Sequence, residues 1–440
     1  MIYTLANSPS VRLCAVFIIS ICLNNIILEI LIYLTISLCI SRLSNKGFTK
    51  IFLFAIFFFV LIFSTFFEVK QDKKEELLIT KGRIIFHPKI QGNNKNVIAY
   101  SEEYNLNVAL SIPKNVEVGW GDLIELECIA KYDEKNYYHY YNIFYAAKDC
   151  GVLEITKTQI WYELASTNIR VALLERLEAL FPPNTALLLK GILIGGSEEL
   201  PNYLVLDYKE AGIIHIMAVS GFNMSLANGI ILLFIRKTNP FIKWVVSTVF
   251  LLAYLMIIGF DNIPGFRAFI CCVLMQTGCL LGRRPNSIYI VIFSGMILLL
   301  LFPSIYESIS YQLSMMAGLA MSYNAKYASN LIVNAFVSPI LSLYFAKLNL
   351  IGIVTNIVLQ PIIPLITYFS LIQVLNPLPF DFGLGSIIHV LVNILNQIAA
   401  YFATIGKSFI VSNDNSVLTA IVLLILSLMF LFELSFRKFR

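Results

Sequence analysis

Of 440 residues, 58% belong to the apolar class and 13% are charged, and mean hydropathy reaches +0.77. Those values exclude an ordinary soluble enzyme or a disordered chain and leave room for one sizeable water-soluble domain beside membrane spans. The net charge of +5 is too small to name a partner, so its distribution matters more.

From 13 to 40 the chain is apolar apart from Asn24, Asn25 and Glu29. A helical hairpin turning at Asn24-Asn25 and one long tilted span fit equally. No small-residue cleavage pattern ends this stretch, so 14–40 reads as an anchor rather than a removable signal. Arg42, Lys46 and Lys50 follow with no acid among them, which assigns 41–50 to the cytoplasm. The run 51–67 then crosses outward.

The next hundred residues change texture. Between Glu68 and Glu163 stand 12 Lys/Arg against 15 Asp/Glu, leaving +8 for the rest of the chain, mostly in short loops as the positive-inside bias expects. Segments 83–86, 107–112 and 123–130 are rich in strand formers, the last alternating only in part, and turn signals at 91–94 and 119–122 separate them. A small β-barrel or sandwich is predicted. Tyr137, Tyr138, Tyr140 and Tyr141 offer stacking surfaces, but the acidic balance favours a scaffold over a phosphate clamp. Six of the eight cysteines lie in apolar runs; Cys128 and Cys150 do not, and form a candidate disulfide in an oxidising compartment.

Beyond this domain, Ile169, Leu173, Leu174, Leu177 and Leu180 recur at helical spacing, with Arg170, Glu175, Arg176 and Glu178 largely opposite. This predicts an amphipathic helix at the membrane interface. The apolar stretch 187–194 is too short to span and closes at Gly195-Gly196, implying irregular backbone sheltered by protein or beside water. Further apolar runs lie near 213–235, 244–260, 266–281, 288–302, 313–323, 331–346, 350–374, 387–404 and 417–434. Arg236, Lys237 and Lys243, then Arg283-Arg284, then 437–440 mark cytoplasmic loops. Pro361 and Pro364 leave the number of crossings open.

Residues 210–225 carry the densest polar signal. His215, Ser220 and Asn223 sit at the mouth of, or inside, an apolar run, where such groups face a partner, a cavity or a pathway. Five helical residues turn through about 500°, which leaves His215 and Ser220 about 140° apart and disfavours a hydrolytic dyad. Ser220 and Asn223 share a face; Ser220-Gly221 suits close helix packing as well as a conduit wall. His215 has Asp207 and Glu210 as nearby partners. Arg267 follows a Pro264-Gly265 break into an apolar helix, and its guanidinium suits phosphate or a carboxylate such as Asp261. Gln312 and Ser314 open the run to Tyr323, as caps and interhelical bonds or as lining. Gly406-Lys-Ser408 lacks the upstream glycine of a phosphate loop, and the four histidines are scattered. Neither a cofactor nor a metal site is predicted.

Four motifs then fall into a known order: Leu188-Leu-Lys-Gly-Ile-Leu-Ile-Gly195, Ala211-Gly-Ile-Ile-His-Ile-Met-Ala-Val-Ser-Gly221, Pro264-Gly-Phe-Arg-Ala268 and Tyr311-Gln-Leu-Ser314. Over about 166–434 the chain resembles the ComEC-type competence membrane channels. The resemblance implies a polytopic α-helical membrane protein of the bacterial cytoplasmic membrane with an inserted extracytoplasmic OB-like barrel: anchors over 1–67, barrel over 68–165, channel over 166–440. Its implied function is passage of single-stranded DNA during natural transformation, without enzymatic activity. His215, Ser220, Asn223, Arg267, Gln312 and Ser314 would line or brace the path, with Gly191, Gly195, Gly221, Pro264 and Gly265 shaping its backbone. Implied partners are the bilayer, a DNA receptor, a separate nuclease and a cytoplasmic helicase-like motor; a homo-oligomer is compatible. Many family members carry a second His where Asn223 stands, and many end in a metallo-β-lactamase-like domain whose His/Asp motif is missing here, so a short form is expected. The alternatives are a secondary transporter of a small anion and an intramembrane hydrolase.

Overall fold

The computed structural model describes residues 76–91, 94–132, 143, 145–148, 150–195, 200–217, 219, 221–283, 285–302, 305–306, 308–322, 329–345, 347–349, 351–376, 383–406 and 410–412. The anchors predicted over 1–67, Ser220 and the run 417–434 lie outside them. Two compact units result: residues 69–284 with 354–408, and a second whose described parts are 285–353 and 410–412.

The first unit opens with strands β1 (Glu76–Ile84), β2 (Lys89–Gln91), β3 (Asn94–Ser101), β4 (Leu106–Pro113), β5 (Leu123–Tyr132), β6 (Tyr145–Ala147) and β7 (Gly151–Thr156). Because β1 pairs with both β3 and β5, strands β1, β3, β4, β6 and β5 close into a ring; only β4–β6 is parallel. Of the small barrel or sandwich expected from the sequence, the barrel is what forms, closed by five strands. Leu77, Ile79, Ile84, Val97, Leu110 and Ile112 fill it. On β5, Ile124, Leu126, Cys128 and Ala130 point inward at period two. The alternation looked partial in sequence because Ile129 is apolar yet faces outward, directly opposite the equally outward Leu78 of β1.

Helices α1 (Trp161–Leu180), α2 (Pro183–Leu193) and α3 (Asn202–Glu210) follow, then a 3-10 turn (Ile214–Met217), α4 (Gly221–Phe234), α5 (Pro240–Ile258) and α6 (Ile263–Leu280). Asparagines start two of them. Asn239 Oδ1 accepts from Ile242 N–H ahead of Pro240, and Asn262 Oδ1 accepts from Gly265 N–H. Pro264-Gly265 is therefore the first turn of α6, not a break before it. The single run expected over 213–235 is two elements, with the 3-10 turn ahead of α4.

In the second unit α7 (Ser287–Leu301), α8 (Ile309–Ser322) and α9 (Ser329–Phe345) precede β8 (Lys347–Asn349), which pairs with β9 (Ile410–Ser412). The run near 350–374 is a bent pair, α10 (Ile351–Leu359) and α11 (Ile362–Leu375), turned by 47°. Last among the described helices is α12 (Leu384–Gly406). Three described helices, α5, α6 and α12, are long and apolar enough to cross a membrane, or four spans if the bent pair counts as one. One core joins α1, α2, α3, α11 and α12 through Leu177, Leu189, Leu204, Ile366 and Val392; another joins α4, α5 and α6 through Met224, Leu251, Leu255 and Ala268. The fold is a polytopic α-helical membrane protein bearing a small barrel.

Candidate functional site

Helix α2 is 11 residues long and ends inside protein. A helix leaves its last carbonyls without intrahelical donors, and burial makes that costly. Here three other helices supply them. Asn223 Nδ2 of α4 donates to Ile192 O at 2.6 Å, Tyr254 Oη of α5 to Leu193 O at 2.8 Å, and Arg170 Nη1 of α1 to Ile194 O at 3.3 Å. The same Arg170 atom reaches the end of α5, at 2.6 Å from Ile257 O and 3.1 Å from Ile258 O. The ends of α2 and α5, the starts of α4 and α6 and the middle of α1 thus meet at one place.

Arg267 belongs to that place. It sits one turn into α6, 91% buried. A Cβ on Gly221 would lie 3.2 Å from the Ala268 side chain and 3.5 Å from the Arg267 guanidinium, so the start of α4 packs closely on α6 and a larger residue would push Ala268 by a few tenths of an ångström. Asn262 Nδ2 bonds Val219 O at 3.3 Å. Gly195 has φ +89° and lies beside Val219, so the excursion from 195 to 219, which holds α3 and His215, leaves and returns at one point. Two guanidinium groups and the N-termini of α4 and α6 face the C-termini of α2 and α5 here, with the buried Asp261 carboxylate held by Lys89 nearby.

The barrel is fastened over the same spot. His87, in the loop between β1 and β2, donates from Nε2–H to Met256 O at 2.9 Å, and the Ser166 hydroxyl donates to that oxygen too. Lys89 pairs with the buried Asp261 at 2.5 Å in the α5–α6 turn, and Arg83 holds buried Glu163 of α1 with both carboxylate oxygens engaged. Trp120 packs its ring on His87, Tyr162 and Phe260. Burial, helped by the Arg170 charge, pushes the His87 imidazole down to about 4, so it is neutral here and serves as a fixed donor. The opposite ends of α5 and α6 lead to Arg236, Lys237 and Arg283.

The predicted residues divide. Asn223 and Arg267 come together, with Gly221, Pro264 and Gly265 around them; Gly191 is buried in α2, and His215 is exposed on its 3-10 turn. Asn223 spends its amide on Ile192 O and so braces rather than lines. Gln312 and Ser314 are buried on α8 in the other compact unit, where Gln312 Nε2 donates to Tyr306 O and Tyr344 Oη. They lie within the helix, which Ser308 caps. Cys128 and Cys150 are buried and not bridged, and the hydrogen bond between them draws the Cys128 thiol below its usual pKa. Sequence reading missed Arg170, counted as the polar side of an interfacial helix, and a deeper cluster in which Ser247 and Gln276 both donate to Asn228 Oδ1.

A family model described as Competence protein matches residues 192–437, from the buried end of α2 through α12. The chain belongs to the competence protein family. Neither the curated proteins nor the solved structures compared yield a match. Membership brings a role in competence-related DNA uptake and accounts for a membrane-spanning bundle. The matched stretch of this competence protein holds Asn223, Arg267, Gln312 and Ser314; the barrel precedes it.

Proposed function

We propose that the chain conducts one DNA strand across the bacterial cytoplasmic membrane, with the barrel outside and Arg267 near the mouth of the route. A polyanion does not enter hydrocarbon, so its path is hydrated and polar-walled. The observation that carries the reading is the joint beneath the barrel, where His87 binds the last turns of α5 through Met256 O and Lys89 binds Asp261 in the turn that leads into α6 and Arg267. The barrel thereby acts as a scaffold over a buried guanidinium suited to phosphate. Sidedness follows from the basic loops at the far ends of α5 and α6, which the positive-inside bias assigns to the cytoplasm. The chain acts here as conduit, not catalyst; a cytoplasmic helicase-like motor supplies the force, a receptor delivers DNA and a separate nuclease removes the other strand.

The test is uptake of labelled DNA by cells carrying Arg267→Ala or His215→Ala at normal abundance. Loss of uptake is expected, and wild-type uptake in both removes these residues from the pathway. A second reading, transport of a small anion, draws on the bent α10–α11 pair and on half-length helices meeting inside the bundle. Anion flux in proteoliposomes without DNA dependence would favour it.

A further inference from the structure

Among helices able to cross the membrane, α12 differs in what it exposes. Outward residues of α5 are Phe241, Ile242, Val249 and Leu252, those of α11 include Leu365 and Ile372, and α6 exposes Met275. All suit lipid. The buried side of α12 is apolar and small: Gly385, Ile388, Val392, Leu395, Ala399, Ala403 and Gly406. Its exposed side carries Ser386, Asn393, Gln397, Tyr401 and Thr404, with Tyr401 64% exposed, and Ile387, Val390 and Ile394 stand among and beside them. From 386 to 404 this stripe runs about 27 Å at 1.5 Å per residue, close to the roughly 30 Å of a hydrocarbon core.

Hydrocarbon does not accept such a stripe, since amides and hydroxyls at that depth face protein or water. Where α12 does face protein its polar groups are bonded across: His389 to Thr185, and Asn396 to Tyr208. On the exposed side Asn393 bonds His389 and the Thr404 hydroxyl donates to Tyr401 O, both within the helix, which leaves hydrogen-bonding capacity of Asn393, Gln397 and Ser386 turned outward. A docking helix is the poorer occupant of the exposed side. Close helix approach in lipid uses Gly, Ala and Ser; α12 turns its glycines and Ala399 and Ala403 inward, and presents Ile387, Val390, Ile394 and Tyr401 outward.

We infer that the Ser386–Asn393–Gln397–Tyr401–Thr404 face of α12 is a wall of the hydrated passage, giving a single strand neutral hydrogen bonds and one stacking ring; this rests on the conduit reading above. The absence of Lys and Arg from α12 fits a surface that must release what it holds, because conduction requires weak, repeated binding. Stacking on Tyr401 tolerates every base.

The experiment places single cysteines at Asn393, Gln397 and Tyr401, with Val249→Cys as lipid-facing control, and follows a membrane-impermeant thiol reagent as the increment over wild type in intact cells. Stripe positions are expected to label and to be protected by transforming DNA, while Val249→Cys stays silent. Tyr401→Leu should lower uptake roughly fivefold or more, as loss of one stacking contact would. Labelling no faster than the control, labelling indifferent to DNA, or oxidative cross-linking of two copies through the stripe overturns the assignment. Uptake that persists without the chain would instead defeat the conduit reading itself, so the two failures are distinguishable.

Discussion

Replacing Arg170 by Met removes the donor shared by Ile194 O, Ile257 O and Ile258 O while keeping an apolar stem of similar length. Each buried carbonyl left without a donor costs about 1–3 kcal/mol. Tyr254→Phe strips one such carbonyl, Leu193 O, and Asn223→Leu strips another, Ile192 O. Arg170→Met strips three, of which water recovers part because the side chain is only half-buried. We expect about 1–2 kcal/mol for each single-acceptor variant and about 3 kcal/mol or more for Arg170→Met. At roughly 1 °C per kcal/mol for a chain of this length, this separates the melting midpoints by about one to two degrees. Arg170→Lys, which offers one ammonium in place of a fork, should fall between. The assay is thermal unfolding of the detergent-solubilised chain at one fixed scan rate. Should Arg170→Met melt no lower than Tyr254→Phe, the guanidinium is not what ties α1, α2 and α5 together.

His87 titrates at about 4 in the folded chain against 6.5 free, so protons bind the unfolded form first. The barrel joint should keep its full stability above about pH 6.5 and lose roughly 3 kcal/mol as pH falls toward 4. Arg170 adds to that loss and Asp261 opposes it; proteolysis at 157–160 should rise over this window in wild type and be flat in His87→Phe. Lys89→Ala strands the Asp261 carboxylate, 3% exposed, and should cost about 2–4 kcal/mol, with much of it restored by a second change, Asp261→Asn; no rescue in the double variant would refute the pairing. Mild oxidation should join Cys128 to Cys150 and stabilise the barrel by about 3 kcal/mol. Two thiols that stay open to alkylation after oxidation would count against it.

How much the sequence reveals depends on the distance between a residue and what it meets. The barrel was legible because strand alternation and turns are local, and only the outward Leu78–Ile129 pair blurred it. The starts of α5 and α6 are written in Asn239-Pro240 and Asn262-Ile263-Pro264, although the second also reads as a break, because glycine and proline look alike as punctuation and as a first turn. Asn223 and Arg267 were found because polar groups in apolar runs are conspicuous. Arg170 was not, since its acceptors lie 24, 87 and 88 residues away and periodicity shows a polar face without saying what waits there. The α12 stripe escaped for another reason: averaging hydropathy over 387–404 merges an apolar face with a polar one.

Charge is distributed along the α5–α6 hairpin in a way that bears on transport. Arg170, Arg267, Lys89 and Asp261 cluster at the barrel end. Arg236, Lys237, Lys243 and Arg283 stand at the other. Between them the polar groups are neutral: Ser247 and Gln276 with Asn228, about 16–20 Å from the turn at 1.5 Å per residue. Cations throughout would hold a phosphate chain in a deep well, whereas an uncharged middle span lets it be attracted at either end and slide between. On the conduit reading, a Lys in place of Gln276 should therefore slow uptake even though it adds favourable charge. Faster uptake by Gln276→Lys at normal abundance would show that the strand wants more positive charge along its route, and that the neutral residues only pack helices.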